Sequence, residues 1–396
     1  MQLYIIKNFY PSKKAQNATR NVRYLKQNNT SYPSIKVEPM NRVHALKQIA
    51  FEEKGFDGFL ITNEANLLYF TKCPGLACLL IPKKGEGKVF VYSVNYEQAK
   101  AETKGFDVEL TKRGENLMEK IANQAKAFGI KKLAVDSLSY ENYRNLMKGL
   151  KGKVKLKTQA NLVWQLRKVK DDEELELMRK AGELTSEGMR VAYEMIKPGV
   201  REYEVAGEIE YAMRKCGCWG TAFETIVASG ARSAFPHGGC IDRKIENGDL
   251  VVVDIGAAYC HYRSDMTRTL VAGKPSEKQK RIYEVVRLAQ ERAVSAVKPK
   301  VKTKEIDAIS RKVIDDAGYG KYYVHGLGHG VGLEVHEQPT LSPESKDKLA
   351  VGNVVTIEPG IYLVGFGGFR IEDTVLVKRG KAEKFTKGPY TLETSK

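Results

Sequence analysis

Four acidic side chains in the C-terminal half of the chain interrupt runs that are otherwise apolar and strand-like, a placement that needs a physical reason. Asp254 lies in Leu250-Val-Val-Val-Asp254-Ile-Gly256 and Asp265 in Ser264-Asp265-Met-Thr-Arg268-Thr, with a few residues between the two runs. A two-residue hairpin turn centred on Tyr259 and Cys260 sets Asp254 directly across from Asp265, both on one face. Like charges so opposed destabilise a sheet, and a carboxylate inside a buried run either neutralises or is strongly unfavourable. A divalent cation between them is the expected reason; the plainer alternative is a hairpin with two solvated acids. The pattern recurs in Thr356-Ile-Glu358-Pro-Gly360-Ile-Tyr362, where Val354, Val355 and Ile357 precede Glu358, and in Phe369-Arg370-Ile371-Glu372-Asp373.

Imidazoles accompany the acids. The run His325-Gly-Leu-Gly-His329-Gly-Val-Gly-Leu-Glu-Val-His336-Glu has glycine at 326, 328, 330 and 332, which allows close backbone approach around His329 and backbone angles that other residues avoid. It fits neither a GxGxxG nucleotide loop nor an HExxH zinc motif. Of the six histidines, four (His237, His325, His329 and His336) fall in glycine-bordered motifs of this region, which favours a site over isolated structural roles. Two divalent ions would balance the four carboxylates Asp254, Asp265, Glu358 and Glu372, with His329 adding no charge. Such oxygen-rich ligation suits Mn, Co, Zn or Fe(II) and excludes a thiolate-type structural zinc.

The elements that must position these groups begin upstream. A length of 396 residues suits two domains, because single cores stop growing at roughly 250–300 residues. From about 41 to 160, helical stretches alternate with β-rich runs at Gly58 to Thr62, Leu76 to Ile81, Val89 to Ser93, Val108 to Leu110 and Leu133 to Val135, which predicts an α/β layer with a mixed or parallel sheet. Its only histidine, His44, reads as surface or packing. A boundary follows near Val169: Asp171, Asp172, Glu173 and Glu174 precede Leu175, Met178, Ala181 and Leu184, predicting a long helix that stops at Pro198-Gly199. Ile196-Lys-Pro-Gly-Val200 is echoed 101 residues later by Val297-Lys-Pro-Lys-Val301, and the register continues through Val205 with Ile306, Met213 with Ile314 and Gly217 with Gly318. The echo predicts two α+β halves about a pseudo-two-fold with a cleft between them.

Bulk properties narrow the classes. With 42% hydrophobic and 29% charged residues the chain is a globular protein able to bury a substantial core, not a disordered or fibrous one. No apolar run is long enough to span a bilayer and the start has no long apolar signal segment, so a cytoplasmic protein without a membrane partner is expected. Cys73, Cys78, Cys216, Cys218, Cys240 and Cys260 form no paired CxxC motifs and are expected to stay reduced. The net charge is +17, of which residues 1–39 carry +6 through Lys7, Lys13, Lys14, Arg20, Arg23, Lys26 and Lys36 against Glu38. Apart from an alternating Lys151, Lys153, Lys155, Lys157 stretch that reads as the solvated face of a strand, the rest is scattered, so a charged exterior is favoured over a nucleic-acid footprint. Residues 1–39 lack an apolar period and are expected to form a disordered basic extension, with Met40 as a candidate natural start.

These strings, together with Thr225-Ile-Val-Ala-Ser-Gly230 and Pro236-His237-Gly238, resemble the Xaa-Pro peptidases (aminopeptidase P and prolidase) of the pita-bread metallopeptidase family. The resemblance runs from about Met40 to the C-terminus, and all five metal positions match in order and approximate spacing. It implies an α/β creatinase-like N-terminal domain over 40–165 and an α+β pita-bread catalytic domain with an internal pseudo-two-fold over 170–390. The implied activity is dinuclear-metal-dependent hydrolysis of Xaa-Pro bonds, with proline at P1′, through a metal-bridging hydroxide. Carried over by motif, Asp254 is a bidentate ligand to one ion, Asp265 and Glu372 bridge both, and His329 and Glu358 bind the other. His237, His325 and His336 match substrate-facing histidines, Arg370 the arginine beside the metals and Tyr362 a commonly aromatic position. Manganese is the first expectation among the four metals, and a homodimer the expected assembly.

In this reading Glu358 accepts the proton of the attacking water, while His237 and His336 stabilise the tetrahedral intermediate or shield the leaving proline nitrogen. Proline calls for a dedicated pocket because its tertiary amide lacks an N–H and its ring fixes φ. The sequence departs from the family at Cys260-His261, where a glycine is usual in the hairpin turn. Methionine aminopeptidases share the metal set but lack the N-terminal partner, and creatinase has both domains but no metals. A catalytically inactive binding protein is the non-enzyme alternative, which retention of all five ligands disfavours.

Overall fold

The computed structural model describes residues 39–394. The expectation for residues 1–39 therefore lies outside the described residues except at Pro39, which opens the helix Pro39–Lys47. That helix carries His44 on its exposed side.

The β-rich runs of the first part form one six-stranded mixed sheet in the order Phe106–Thr111, Gly87–Tyr92, Cys78–Pro82, Gly58–Ile61, Lys132–Val135, Lys155–Thr158. Gly58–Ile61 lies antiparallel to Cys78–Pro82 and parallel to Lys132–Val135. Its side chains alternate between two cores, Phe59 and Ile61 to one and Leu60 to the other, which is why a central strand is apolar throughout. The lysine stretch is only half strand: Lys155 and Lys157 lie on the edge strand Lys155–Thr158, where charge blocks further pairing, whereas Lys151 ends the preceding helix at φ 50°.

The long helix spans Asp172–Met195, opened by a reciprocal capping box between Asp171 and Glu174. The 101-residue echo recurs in three dimensions. Helices Asp172–Met195 and Glu277–Ala296 end at equivalent positions, and their partners Glu202–Lys215 and Thr303–Asp316 coincide at both ends. Gly199 and Lys300 both take positive φ (93° and 73°), as do Gly217 and Gly318 (103° and 82°).

Each helix pair covers one half-sheet. The first has the order Met266–Val271, Leu250–Ile255, Ile226–Ser229, and the second Glu337–Leu341, Gly328–Gly330, Val354–Ile357, Asp373–Leu376, Glu383–Lys384. Val251, Val253 and Ile255 pack with the first helix pair, and Val355 and Ile357 with the second. Period-two alternation then turns Asp254 and Glu358 to the opposite side, towards the cleft between the halves. The two halves meet where the Glu372 N–H donates to the Thr267 carbonyl at 3.1 Å and the Arg370 N–H, from the two-stranded sheet of Gly360–Leu363 and Gly367–Arg370, donates to Thr269 Oγ1 at 2.9 Å.

The hairpin register differs from the sequence expectation. Asp254 faces Thr267, not Asp265, because the turn falls one residue later, at Cys260 and His261. Both residues take positive φ (47° and 71°), the requirement of a type I′ turn, and this shifts the pairing. Asp265 lies two residues before Thr267 and hence on its side of the strand, so the two aspartates share a face as diagonal neighbours rather than as a directly opposed pair.

Candidate active site

The five candidate ligands come from five strands. Asp254 is the penultimate residue of Leu250–Ile255, Asp265 precedes Met266–Val271, His329 centres Gly328–Gly330, Glu358 follows Val354–Ile357 and Glu372 precedes Asp373–Leu376. Donor atoms of Asp265, His329 and Glu372 all lie within 4.8 Å of one another. His329 Nε2 stands 3.3 Å from Glu358 Oε1 and 3.8 Å from Asp265 Oδ2. Asp254 joins through Arg370, whose guanidinium reaches Asp254 Oδ2 at 2.6 Å and Thr267 Oγ1 at 3.0 Å, while that hydroxyl donates to Glu372 Oε2 at 2.6 Å. All five line one cavity of about 750 Å³.

The glycines around His329 serve close approach alone. A Cβ at Gly328 would lie 2.2 Å from the Thr356 carbonyl oxygen and one at Gly330 2.3 Å from that of Gln338, so neither strand neighbour could pack as it does. None of Gly326, Gly328, Gly330 and Gly332 takes positive φ, which corrects the expectation of unusual backbone angles there.

The electrostatics are those of acids crowded out of water. Burial, reinforced by Glu372, Asp254 and Glu358, pushes the Asp265 carboxyl well above its ordinary range. Burial, with Glu358 and Asp254, does the same to Glu372. Burial also acts to raise Glu358, but the His329 imidazole beside it outweighs this and holds Glu358 at about 2. His329 itself is raised, since Glu358 offsets the opposing effect of burial. Asp254 Oδ1 and Asp265 Oδ1 are buried without a hydrogen-bond partner, an expensive condition that a cation would relieve. The donor set therefore fits divalent metal ions.

Hydrogen bonding fixes the imidazole tautomers. His329 Nδ1 lies 3.0 Å from the Gly330 carbonyl and carries a proton, so Nε2, which faces the acids, is the atom that could ligate a metal once its own proton is released. His325 Nδ1 is tied in the same way to the Gly326 carbonyl at 2.7 Å, and burial keeps this ring neutral by lowering its pKa. His325 Nε2 then accepts from the Tyr362 hydroxyl at 2.9 Å, which in turn accepts from Arg370 at 3.0 Å. Tyr362 is thus buried behind the cavity wall, linking His325 to Arg370. His336 is exposed at the cavity with its ring 4.4 Å from that of His329, and burial of its ring atoms, then repulsion by His329, lowers its pKa. His237, on an exposed turn after the short helix Gly230–Ala234, lines the same cavity.

Sequence reasoning passed over three threonines. Thr267 holds Glu372, Thr356 donates to Glu358 Oε1 at 3.1 Å and accepts from the His329 N–H at 3.0 Å, and Thr374 accepts from the Asp265 N–H at 3.0 Å and donates to its carbonyl at 2.8 Å. Each stands two residues from an acid on the same strand face, and that spacing was the available signal.

The six cysteines are free thiols, and among the described residues no helix is long and apolar enough to cross a membrane. Residues 176–379 match the model of metallopeptidase family M24, and residues 42–169 that of the creatinase/prolidase N-terminal domain. The chain is 44% identical to an Xaa-Pro dipeptidase of Pyrococcus furiosus over 85% of its own length and 95% of that protein. Among solved structures it is similar to an Xaa-Pro dipeptidase from Bacillus anthracis (38% identity, TM-score 0.84, 90% of this chain and 99% of that one). It is also similar to an X-Pro aminopeptidase from Thermotoga maritima (36% identity, TM-score 0.82, 89% and 99%).

Proposed function

As the chain belongs to metallopeptidase family M24 and carries the creatinase/prolidase N-terminal domain, we propose that it is a metallo-exopeptidase that cleaves Xaa-Pro bonds with two divalent ions. The observation that carries this is the convergence of Asp265, His329 and Glu372 donor atoms within 4.8 Å, beside two buried aspartate oxygens without partners. Asp254, Asp265, His329, Glu358 and Glu372 would hold the ions. Ions so held supply an acidified water at neutral pH and polarise the scissile carbonyl.

The chain's own groups do the rest. Glu358, on the cavity wall beside His329, is placed to take the proton of the attacking water at a carboxylate oxygen, to be passed on to the leaving proline nitrogen. His336 and His237, both on the cavity wall, stabilise charge developing on the carbonyl oxygen or shield the leaving nitrogen. His325 closes the wall as a neutral ring. Arg370 fixes the orientation of Asp254 and, through Thr267, of Glu372.

Manganese is the proposed metal, and a homodimer in the cytoplasm the proposed setting. The relatives' names include both a dipeptidase and an aminopeptidase, so substrate length is the first property to measure. An Xaa-Pro dipeptide and a longer Xaa-Pro peptide are compared with Mn, Co or Zn added, beside a peptide with N-terminal Met and no proline. Cleavage at Xaa-Pro in either length, lost in Glu358→Gln and Asp254→Asn with the fold retained, supports the reading. Wild-type rates in those variants after metal reconstitution would overturn the assigned roles, and release of Met alone would overturn the specificity.

A further inference from the structure

His336 is the last residue of a bend and Glu337 the first of the strand Glu337–Leu341; His336 is exposed at the cavity, whereas Glu337 is buried in the interior. The chemistry above makes no use of Glu337, yet both its oxygens are occupied. Oε2 accepts from Lys170 Nζ at 3.0 Å, and Oε1 accepts from Arg167 and from the Glu334 N–H at 3.1 Å. Both cations lie at or just beyond the end of helix Ala160–Arg167, before helix Asp172–Met195 begins. Arg167 also donates to Asn66 Oδ1 at 2.7 Å, and Asn66 donates to Asp136 Oδ2 at 2.8 Å, so the chain of contacts runs into the N-terminal sheet.

The carboxylate also shapes the loop between the two histidines. A Cβ on Gly332 would lie 2.6 Å from each Glu337 oxygen, so the backbone bends tightly around the group. Glu337 pairs across the sheet with Gly330, the neighbour of His329, and the His329 and His336 rings stand 4.4 Å apart. Well-packed apolar side chains would often stabilise such a junction as well as buried charges do. What the ion cluster adds is a single fixed geometry, because each oxygen has a specified donor.

We propose that Glu337, held by Arg167 and Lys170, is a positioning residue that sets His336 against His329 and makes the active site depend on the N-terminal domain. The kinetic part of this inference rests on the Xaa-Pro peptidase reading; the positional part does not.

The test uses zinc-loaded, full-length protein with labelled histidine imidazoles, which gives six signals for six residues, and compares Glu337→Gln and Lys170→Met with Lys170→Arg. The expected result is a shifted or broadened His336 signal in the first two variants and a restored one in Lys170→Arg. On an Xaa-Pro substrate kcat falls roughly 10–100-fold with KM nearly unchanged and zinc content intact. If Glu337→Gln does not fold, Lys170→Met decides. Folded variants with a wild-type His336 signal overturn the proposal, as does a kcat loss that only tracks loss of zinc. A wild-type protein that cleaves no Xaa-Pro peptide defeats the functional reading, while the histidine signal still decides this one.

Discussion

The Arg370 guanidinium lies 2.6 Å from Asp254 Oδ2, so an arginine on the strand Gly367–Arg370, from the second half of the duplicated domain, holds a carboxylate of the first. The same guanidinium donates to Thr267 at 3.0 Å and to Tyr362 at 3.0 Å, and all these groups are largely buried. Three partners in three directions require a planar fork of donors, which is what a guanidinium is and an ammonium is not.

Arg370→Lys should therefore keep the charge and lose the geometry. Metal affinity or turnover is expected to fall about 10–100-fold with the circular dichroism spectrum unchanged. Titration calorimetry with Mn reads the affinity directly, and wild-type values for both affinity and rate would show that the fork is dispensable.

Metal binding should release protons. Burial and repulsion from neighbouring carboxylates push the Asp265 and Glu372 carboxyls above their ordinary range when no metal is bound, so a dication must displace whatever protons they retain, and affinity should rise with pH. Calorimetric titrations of chelator-treated protein in two buffers of different ionisation heat should give different apparent enthalpies. Equal enthalpies would mean that the acids are already ionised.

Asp373, next to Glu372, points to the opposite side of its strand and accepts hydrogen bonds from Arg268, Gln290, Lys384, Thr386 and Tyr390. Burial would raise its pKa, but Arg268 and Lys384 outweigh that and hold it below the ordinary value. A depressed folded-state pKa gives stability that is fully present above the unfolded value, about 3.9, and is lost as pH falls through the folded one. Asp373→Asn should cost about 3–5 kcal/mol at neutral pH, because it leaves Arg268 buried without its charge partner. In urea titrations the gap from wild type should stay constant between pH 5 and 8 and narrow below about pH 4.

Lys300 takes φ 73° on the surface where the first copy of the repeat has Gly199 at 93°. Lys300→Gly should raise stability by about 0.5–1 kcal/mol, and Gly199→Lys should lower it by a similar amount. Denaturant midpoints of the two variants moving in the same direction would show that the turns are not equivalent.

Much of the site was legible because its signals are local. An acid in an apolar strand, glycines flanking a histidine and a Lys-Pro turn repeated after 101 residues each fall within a few positions of text, and period two carried Asp254 and Glu358 to one side of their strands. The five β-rich runs of the first part and the helix opened by Asp171 were readable for the same reason.

Amino-acid sequence by itself determined which side chains are candidates for the chemistry and which strand-like runs they interrupt, because residue type and alternation are properties of short segments. Tertiary structure alone decided the rest. The hairpin register depended on whether Cys260 and His261 adopt positive φ, which no propensity dictates for those residues and which moved Asp254 from Asp265 to Thr267. The bond from Thr267 to Glu372, that from Arg370 to Asp254 and the clasp of Arg167 and Lys170 on Glu337 join groups about 100 to 170 positions apart, and contacts at that separation exist only once two halves and two domains have packed.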